Sequence, residues 1–240
     1  MVQYTEWRSI SDGSIISDIP DSVVEYLDIY YPMDEADGTI VGDNLDTFGL
    51  DSTWSPETWQ VDSGLWEGAG LDMNNEDDVW SSNSTVSITS AVSFCIWFEI
   101  QDESDPNVIG VSDDPSASDD NNEIGLRQQS GRGVDIVLSD DGSSGSGDEQ
   151  TVTNEDERIF AGLSYDDTDN VELHVWDETE KQVTHSETAS PNPLPFDGNI
   201  FGGQRGTSFY NGVTDFAGVA IDSFLDGDDY EDIWNDTKPN

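Results

Sequence analysis

Basic residues are almost missing from this chain. Lys and Arg together number 7 against 53 Asp and Glu, a formal net charge of −46 on 240 residues, and only Lys181 and Lys238 are lysines. Without a basic stripe there is nothing to neutralise phosphates, which excludes nucleic acid as a partner. Cysteine is nearly absent too. Cys95 stands alone, so an intramolecular disulfide or a thiolate metal cluster cannot form. Its place inside the apolar run 91–100 reads as a small buried hydrophobe and not as a nucleophile. No apolar stretch reaches the ~18 residues that span a bilayer, so membrane insertion is not expected. The opening MVQYTEWRSISDGS has neither a basic leader nor an apolar core, and export by a cleaved signal is not expected.

What the chain has instead is acid spread evenly among aromatics. Eight Trp, seven Tyr and nine Phe are interspersed with the carboxylates, whereas a disordered acidic tail would show long acidic blocks with few aromatics. The chain therefore folds. In dilute buffer such a surface repels itself and works against the compact state. At molar salt the Debye length falls to roughly 3 Å and the repulsion is nearly gone. The composition thus reads as a protein of a salt-saturated environment, from a halophilic archaeon or one of its viruses.

Two-residue alternation dominates and helical periodicity is scarce. Val86 and Ile88, then Val92, Phe94, Ile96, Phe98 and Ile100, alternate as a strand does, and Cys95 and Trp97 on the opposite face predict a central strand covered on both sides. Further strands are predicted over 107–111, 123–128, 134–138, 158–165, 171–176, 182–187, 199–203 and 216–224. Short strands joined by Gly, Asp, Asn and Ser turns point to a sandwich of two antiparallel sheets. Two acidic stretches, 112–122 and 139–149, interrupt the pattern and read as solvated hairpin loops, with ligand-binding loops as the alternative. His174 alternates outward with Glu172 and Trp176, which predicts a solvent-facing residue. One short helix is predicted at the end: Asp226 can cap it, Asp228 and Asp229 suit its N-terminus, and Tyr230, Ile233 and Trp234 share a face.

In this order the segments resemble the laminin-G-like branch of the concanavalin A-like jelly rolls. Residues 29–43 (IYYPMDEADGTIVGD) resemble the family's aromatic opening strand and Gly turn. Residues 59–80 carry Gly64, Gly68, Leu71, Asp77, Asp78 and Val79 near its Trp- and Gly-rich segment. Residues 87–98 and 158–176 are similar to its central strand and hairpin, and 216–222 (FAGVAID) followed by 230–234 to its closing strand and helix. The resemblance covers roughly residues 28–236. It departs from the family in the two long acidic stretches and in the turn after LHVWDETE, which lacks the usual Gly. It implies an all-β, two-sheet antiparallel jelly-roll sandwich with a short C-terminal helix, of a kind that recognises glycans, glycoproteins or other proteins at surfaces. It also implies a structural calcium, which by matching segments falls on Asp43 and Asp222, against the plainer reading that Asp222 caps a strand end. Calcium wants six to eight oxygens.

The fold also hosts glycosidases whose catalytic strand carries Glu-x-Asp-x-x-Glu, placing two carboxylates ~5 Å apart. Here Glu35/Asp37, Glu76/Asp78 and Glu103/Asp105 begin that spacing, but Ile40, Ser81 and Val108 stand where the third acid belongs. No enzymatic role is expected. For ligand stacking the sequence offers Trp54, Trp59, Trp66, Trp80 and Trp176, of which Trp54 and Trp176 are the ligand-binding candidates, against the alternative that such residues plug the core.

The expectation is therefore a non-enzymatic surface protein of a haloarchaeal virus particle: a spike, turret, decoration or tail-fibre component with a lectin-like head for a host-surface glycan or glycoprotein, forming a homo-oligomer. The alternative is a halophilic cellular carbohydrate-binding or adhesion module. The absent export signal favours a particle assembled in the host cytoplasm. Residues 1–27, outside the resemblance but rich in Tyr4, Trp7, Ile10, Ile15, Ile16, Ile19, Val23 and Val24, read as a docking arm for other virion proteins or as an extra strand; the domain proper is residues 28–240. One consequence of the charge is testable at once. Dialysis from molar KCl to dilute buffer should expand or unfold the protein, reversibly on return of salt, and a melting temperature indifferent to ionic strength would refute the screening argument.

Overall fold

The computed structural model describes residues 19–31, 40–41, 52–55, 59–60, 70–72, 79–82, 84–99, 106–114, 121–152, 158–205, 208–209 and 212–238. A short helix, α1 (Asp21–Tyr26), comes first. The strands of the first half are β1 (Ile29–Tyr31), β2 (Ile40–Val41), β3 (Ser52–Ser55), β4 (Trp59–Gln60), β5 (Gly70–Asp72), β6 (Val79–Ser82), β7 (Val86–Ile88), β8 (Ala91–Glu99) and β9 (Asn107–Ser112). Those of the second half are β10 (Glu123–Gln129), β11 (Gly133–Asp140), β12 (Ser143–Ser146), β13 (Gln150–Thr151), β14 (Arg158–Asp166), β15 (Asn170–Trp176), β16 (Lys181–Thr188), β17 (Phe196–Gly202), β18 (Gln204–Arg205), β19 (Ser208–Phe209) and β20 (Val213–Ile221). Helix α2 (Gly227–Thr237) closes the chain.

The strands form two large antiparallel sheets. One runs β16-β15-β14-β8-β20-β5-β4, with β1 on β20; the other runs β12-β11-β10-β9-β17-β6-β3-β2, with β13 on β11 and β7 on β17. Strands that are distant in sequence lie side by side, as β20 beside β8 and β17 between β9 and β6. This is a two-sheet antiparallel jelly-roll sandwich, and the strands predicted from alternation are present in it. Two departures have simple causes. The last strand starts at Val213 and stops at Ile221, because Asp222 turns into the left-handed region at φ 52°. The acidic stretch 139–149 is not all loop: Ser143–Ser146 folds back on β11 as an edge strand, with its side chains largely in solvent. Residues with no apolar alternation can still pair when a tight turn, here Asp141 and Gly142 at positive φ, delivers them to a neighbour.

Between the sheets lies a core built from one face of each strand. Val92, Phe94, Ile96 and Phe98 of β8 meet Ile109, Val111, Ile124, Leu126 and Ile136 from the facing sheet. The opposite face of β8 is buried as well, as its double alternation predicts. Cys95 and Trp97 join Phe160, Trp176 and Phe216 in a second core, which is capped by Val23, Leu27, Leu225, Tyr230, Ile233 and Trp234. Each such side chain fully removed from water contributes about 1.5–3 kcal/mol, so the helical cover is part of the domain's stability. Helix α1 belongs to this cover. Of residues 1–27, residues 19–27 therefore pack against the sandwich and α2, while 1–18 lie outside the described residues. On the outer face of the other sheet the Arg127 guanidinium meets Asp135 in a buried two-point ion pair of 2.9 and 2.6 Å, geometry that offsets part of the cost of desolvating both charges.

Gly162 shows how tightly the cover fits. A Cβ there would overlap the Tyr230 ring, so the glycine lets α2 approach the middle of β14. Replacing Gly162 by Ala should destabilise the protein by about 1–3 kcal/mol through overpacking, read as a lower denaturation midpoint at molar KCl, whereas unchanged stability would mean that α2 is not seated as described.

Candidate functional site: an outer-face groove beside the C-terminal helix

The site is bounded by the helix that covers its neighbours. Helix α2 forms where the sequence places it, with a complete capping box: the Asp226 carboxylate accepts from the Asp228 and Asp229 N–H groups (2.9 and 3.2 Å), and Asp229 Oδ2 accepts from Asp226 N–H (3.0 Å). Both donor sets satisfy N–H groups that a helix start leaves open, and the extra acids suit its positive end. The buried face is Tyr230, Ile233, Trp234 and Thr237. A polar clasp fixes it to the sheet. Ser164 Oγ hydrogen-bonds Tyr230 Oη at 2.8 Å and donates to Leu225 O at 2.7 Å, and Trp97 Nε1 donates to Thr237 Oγ1 at 2.9 Å.

This cover revises two of the sequence expectations. Trp176 is not a stacking platform: it is 1% exposed, its ring stacked on Trp234 with centroids 6.0 Å apart. The two lysines of the chain are used at the rim, Lys181 Nζ lying 4.5 Å from the Trp176 ring centroid and Lys238 Nζ 3.8 Å from that of Trp234, as cations favour indole faces. His174 does point outward from β15, as alternation indicates, but α2 roofs it. It is 4% exposed, between the rings of Trp176 and Tyr230, with Nε2 3.1 Å from Glu172 Oε2.

Beside the segment that leads into α2, the same outer face stays open. A groove of about 420 Å³ is lined by Asp166 of β14, Asn170, Val171 and Glu172 of β15, Ser186, Glu187 and Thr188 of β16, and Phe224 of the segment leading into α2. The strand register puts these groups side by side: Asn170 faces Thr188 and Glu172 faces Ser186 across the β15–β16 ladder. The floor is pre-set by local bonds. Asp166 Oδ1 accepts from Thr168 N–H (2.8 Å) and Asn170 N–H (3.1 Å), while Asp166 Oδ2 accepts from Asn170 Nδ2 (2.9 Å). Desolvation pushes the Asp166 carboxyl pKa upward, but the donors on Asn170 and Thr168 outweigh it and hold the group below the usual carboxylate range. The groove is therefore acidic, with no Lys or Arg among its lining residues, and Phe224, half-buried, supplies an aromatic wall. Such a wall with hydrogen-bonding groups at its foot suits a flat, hydroxyl-rich ligand. Sequence reading missed this site. Asp166, Asn170, Glu172 and Ser186 belong to three strands, and only the register of the folded sheet brings them together.

Asp222 sits at the other side of the Phe224 segment and is engaged in a turn. Its Oδ1 accepts from Thr89 N–H (2.7 Å) and Ser90 N–H (2.9 Å), and its Oδ2 from Thr89 Oγ1 (2.7 Å). Desolvation raises its pKa, yet these donors more than offset it and hold the value low. This is the geometry of a loop clasp. Asp43, its partner in the expected calcium site, lies outside the described residues. Among those described, Asp222 is not in any group of three or more ligand side chains close enough to share an ion; one such group exists elsewhere, Asp148 with His185 and Glu187. Trp54 lies in β3, where it pairs with Trp80 across the ladder. Trp80 itself is fully buried, and Trp66 lies outside the described residues.

No family model matches the sequence, and no curated protein matches it. Solved structures do. The fold is similar to the binding domain of botulinum neurotoxin serotype D, with a TM-score of 0.65, 10% identity, and coverage of 90% of this chain and 53% of that one. It is also similar to the structure behind the finding that cell entry of botulinum neurotoxin type C depends on two ganglioside molecules (TM-score 0.63, 10% identity, 90% and 52% covered). A third match is the binding domain of botulinum neurotoxin DC in complex with rat synaptotagmin II (TM-score 0.62, 8% identity, 89% and 52% covered). This chain spans about half the length of each of those chains. At such identity the likeness is one of fold, and the fold is that of a β-sandwich found in receptor-binding domains.

Proposed function

We propose that this protein is a non-enzymatic recognition module that works in concentrated salt, and that the groove beside α2 holds a neutral glycan on a host-cell surface or its glycoproteins. The observation that carries the reading is the groove itself: one aromatic wall at Phe224 over Asp166, Asn170, Glu172, Ser186 and Thr188. Sugar rings present an apolar face for stacking and hydroxyls for these acceptors and donors. The acidic floor, with no cation in the lining, disfavours sialylated or sulfated sugars. The similarity of the fold to domains whose structures concern gangliosides and synaptotagmin supports recognition over catalysis. At molar salt, repulsion between two acidic surfaces is confined to a few ångströms, which leaves stacking and hydrogen bonding to set the affinity.

The setting we propose is the surface of a particle of a haloarchaeal virus, supported by the charge of −46 and by the advantage such a site gains from display. Many copies on one particle raise avidity by roughly 10²–10⁴ without new contacts. A cellular adhesin of a halophile would carry the same groove and the same chemistry. Residues 1–27 are the docking arm we propose for other particle proteins; within it, residues 19–27 also pack against the sandwich and α2.

The reading is tested by binding at molar KCl to an immobilised panel of neutral and anionic oligosaccharides, with Phe224→Ala and Glu172→Gln as groove variants and Glu180→Gln as an exposed control. Neutral sugars should bind, and each groove variant should weaken binding about tenfold, or ~1.4 kcal/mol, with the control unaffected. Binding of anionic sugars alone, or groove variants that bind like the parent, would overturn it.

A further inference from the structure

One side-chain cluster, which shares only Glu187 with the groove lining, is explained neither by packing nor by the proposed binding. The edges of the two sheets come together where the segment after β12 passes over β16. Gly147 N–H bonds Ile136 O of β11 at 3.0 Å, and the next residue, Asp148, donates its N–H to Glu187 Oε1 of β16 at 2.8 Å. A Cβ at position 147 would overlap that same Glu187 oxygen, so a larger residue there would push the carboxylate out of this position. The carboxylates of Asp148 and Glu187 and a ring nitrogen of His185 then lie within 4.8 Å of one another.

His185 Nε2 is the informative atom. It is shielded from solvent and has no hydrogen-bond partner; the nearest acid oxygen, Glu187 Oε2, is 3.7 Å away, too far for a hydrogen bond. That separation is close to the ~3.4 Å edge expected between two ligand atoms held at ~2.0–2.2 Å in a tetrahedral zinc site. Glu187 Oε1 is occupied by the Asp148 N–H, which orients the carboxylate and leaves Oε2 for a cation. Asp148 is exposed, so an entry path and a position for water remain.

We propose that Asp148, His185 and Glu187 form a binding site for a divalent transition-metal ion of the zinc class, which staples the edge of one sheet to the edge of the other. An imidazole nitrogen with two carboxylates suits such ions better than calcium or magnesium, which prefer all-oxygen sites. Neutralising two carboxylates at the seam also removes repulsion where no Lys or Arg is among the three. The site is distinct from the calcium expected at Asp43 and Asp222.

The test uses the full chain, stripped of metal and held in molar KCl with excess magnesium to occupy the diffuse acidic surface. Zinc should bind at one equivalent and raise the melting temperature, calcium should not, and cobalt added in its place should give an absorption band of a nitrogen- and oxygen-ligated low-coordinate site. His185→Gln and Glu187→Gln should each weaken zinc binding at least tenfold and abolish both the melting shift and the cobalt band, while Glu180→Gln retains them. Should either site variant prove unfolded, Asp148→Asn, at an exposed position, gives the same readout. No saturable zinc binding by the parent, or binding that survives all three substitutions, would overturn the proposal.

Discussion

The seating of α2 on the outer face of the β16-to-β4 sheet is the constraint on which the rest of the structure depends. A sandwich strand usually needs one buried face. Here β8, β14 and β15 bury both, and the second face is closed by Tyr230, Ile233 and Trp234 with α1 alongside. The helix stays in place through a narrow set of features: a capping box at Asp226 and Asp229, a small residue at Gly162, and hydroxyl-to-hydroxyl bonds from Ser164 to Tyr230. In a chain this poor in cations, both lysines are placed on the indoles at this junction, and not at the groove. The cover starts at the Ser223–Asp226 segment, and the groove opens beside it. Architecture and candidate site are thus two consequences of one packing arrangement.

The acidity shapes what such a surface can do. Most carboxylates among the described residues are exposed and interact through solvent, where salt screens them. Several, whether buried or exposed, are held by specific donors: Asp135 by Arg127, Glu123 by Asn107 and Asn121, Asp166 by Thr168 and Asn170, Asp222 by Thr89 and Ser90. These clasps act at contact distance and do not require dilute conditions. Recognition in the groove would likewise rest on short-range contacts. This is consistent with an interaction surface that has no long-range electrostatic steering and gains strength from number of copies.

Much of the fold was legible before any coordinates. Period-two alternation located β8 and most of the central strands, and the double alternation of Val92–Phe98 against Cys95 and Trp97 announced that both faces of that strand are covered. The capping signature at Asp226 and the spacing of Tyr230, Ile233 and Trp234 located α2. The orientation of His174 and Trp176 was legible too, but their burial was not, because alternation states which way a side chain points and says nothing of what lands on it. Helix α1 was missed since six residues are too few to show a helical period. The groove and the Asp148, His185 and Glu187 cluster were missed for a different reason: their members come from separate strands and loops, and among 53 acids no local spacing marks those that the register brings together.

The central claim, that recognition occurs on the sheet face left open by α2, is tested most directly by hydrogen exchange at molar KCl with and without a saturating bound oligosaccharide. The account predicts new protection confined to residues 166–172, 186–188 and 222–225, with the β9–β11 strands of the opposite sheet unchanged. Protection appearing on that opposite sheet, or on the acidic stretches 112–122 and 139–149, with none in the groove, would contradict it.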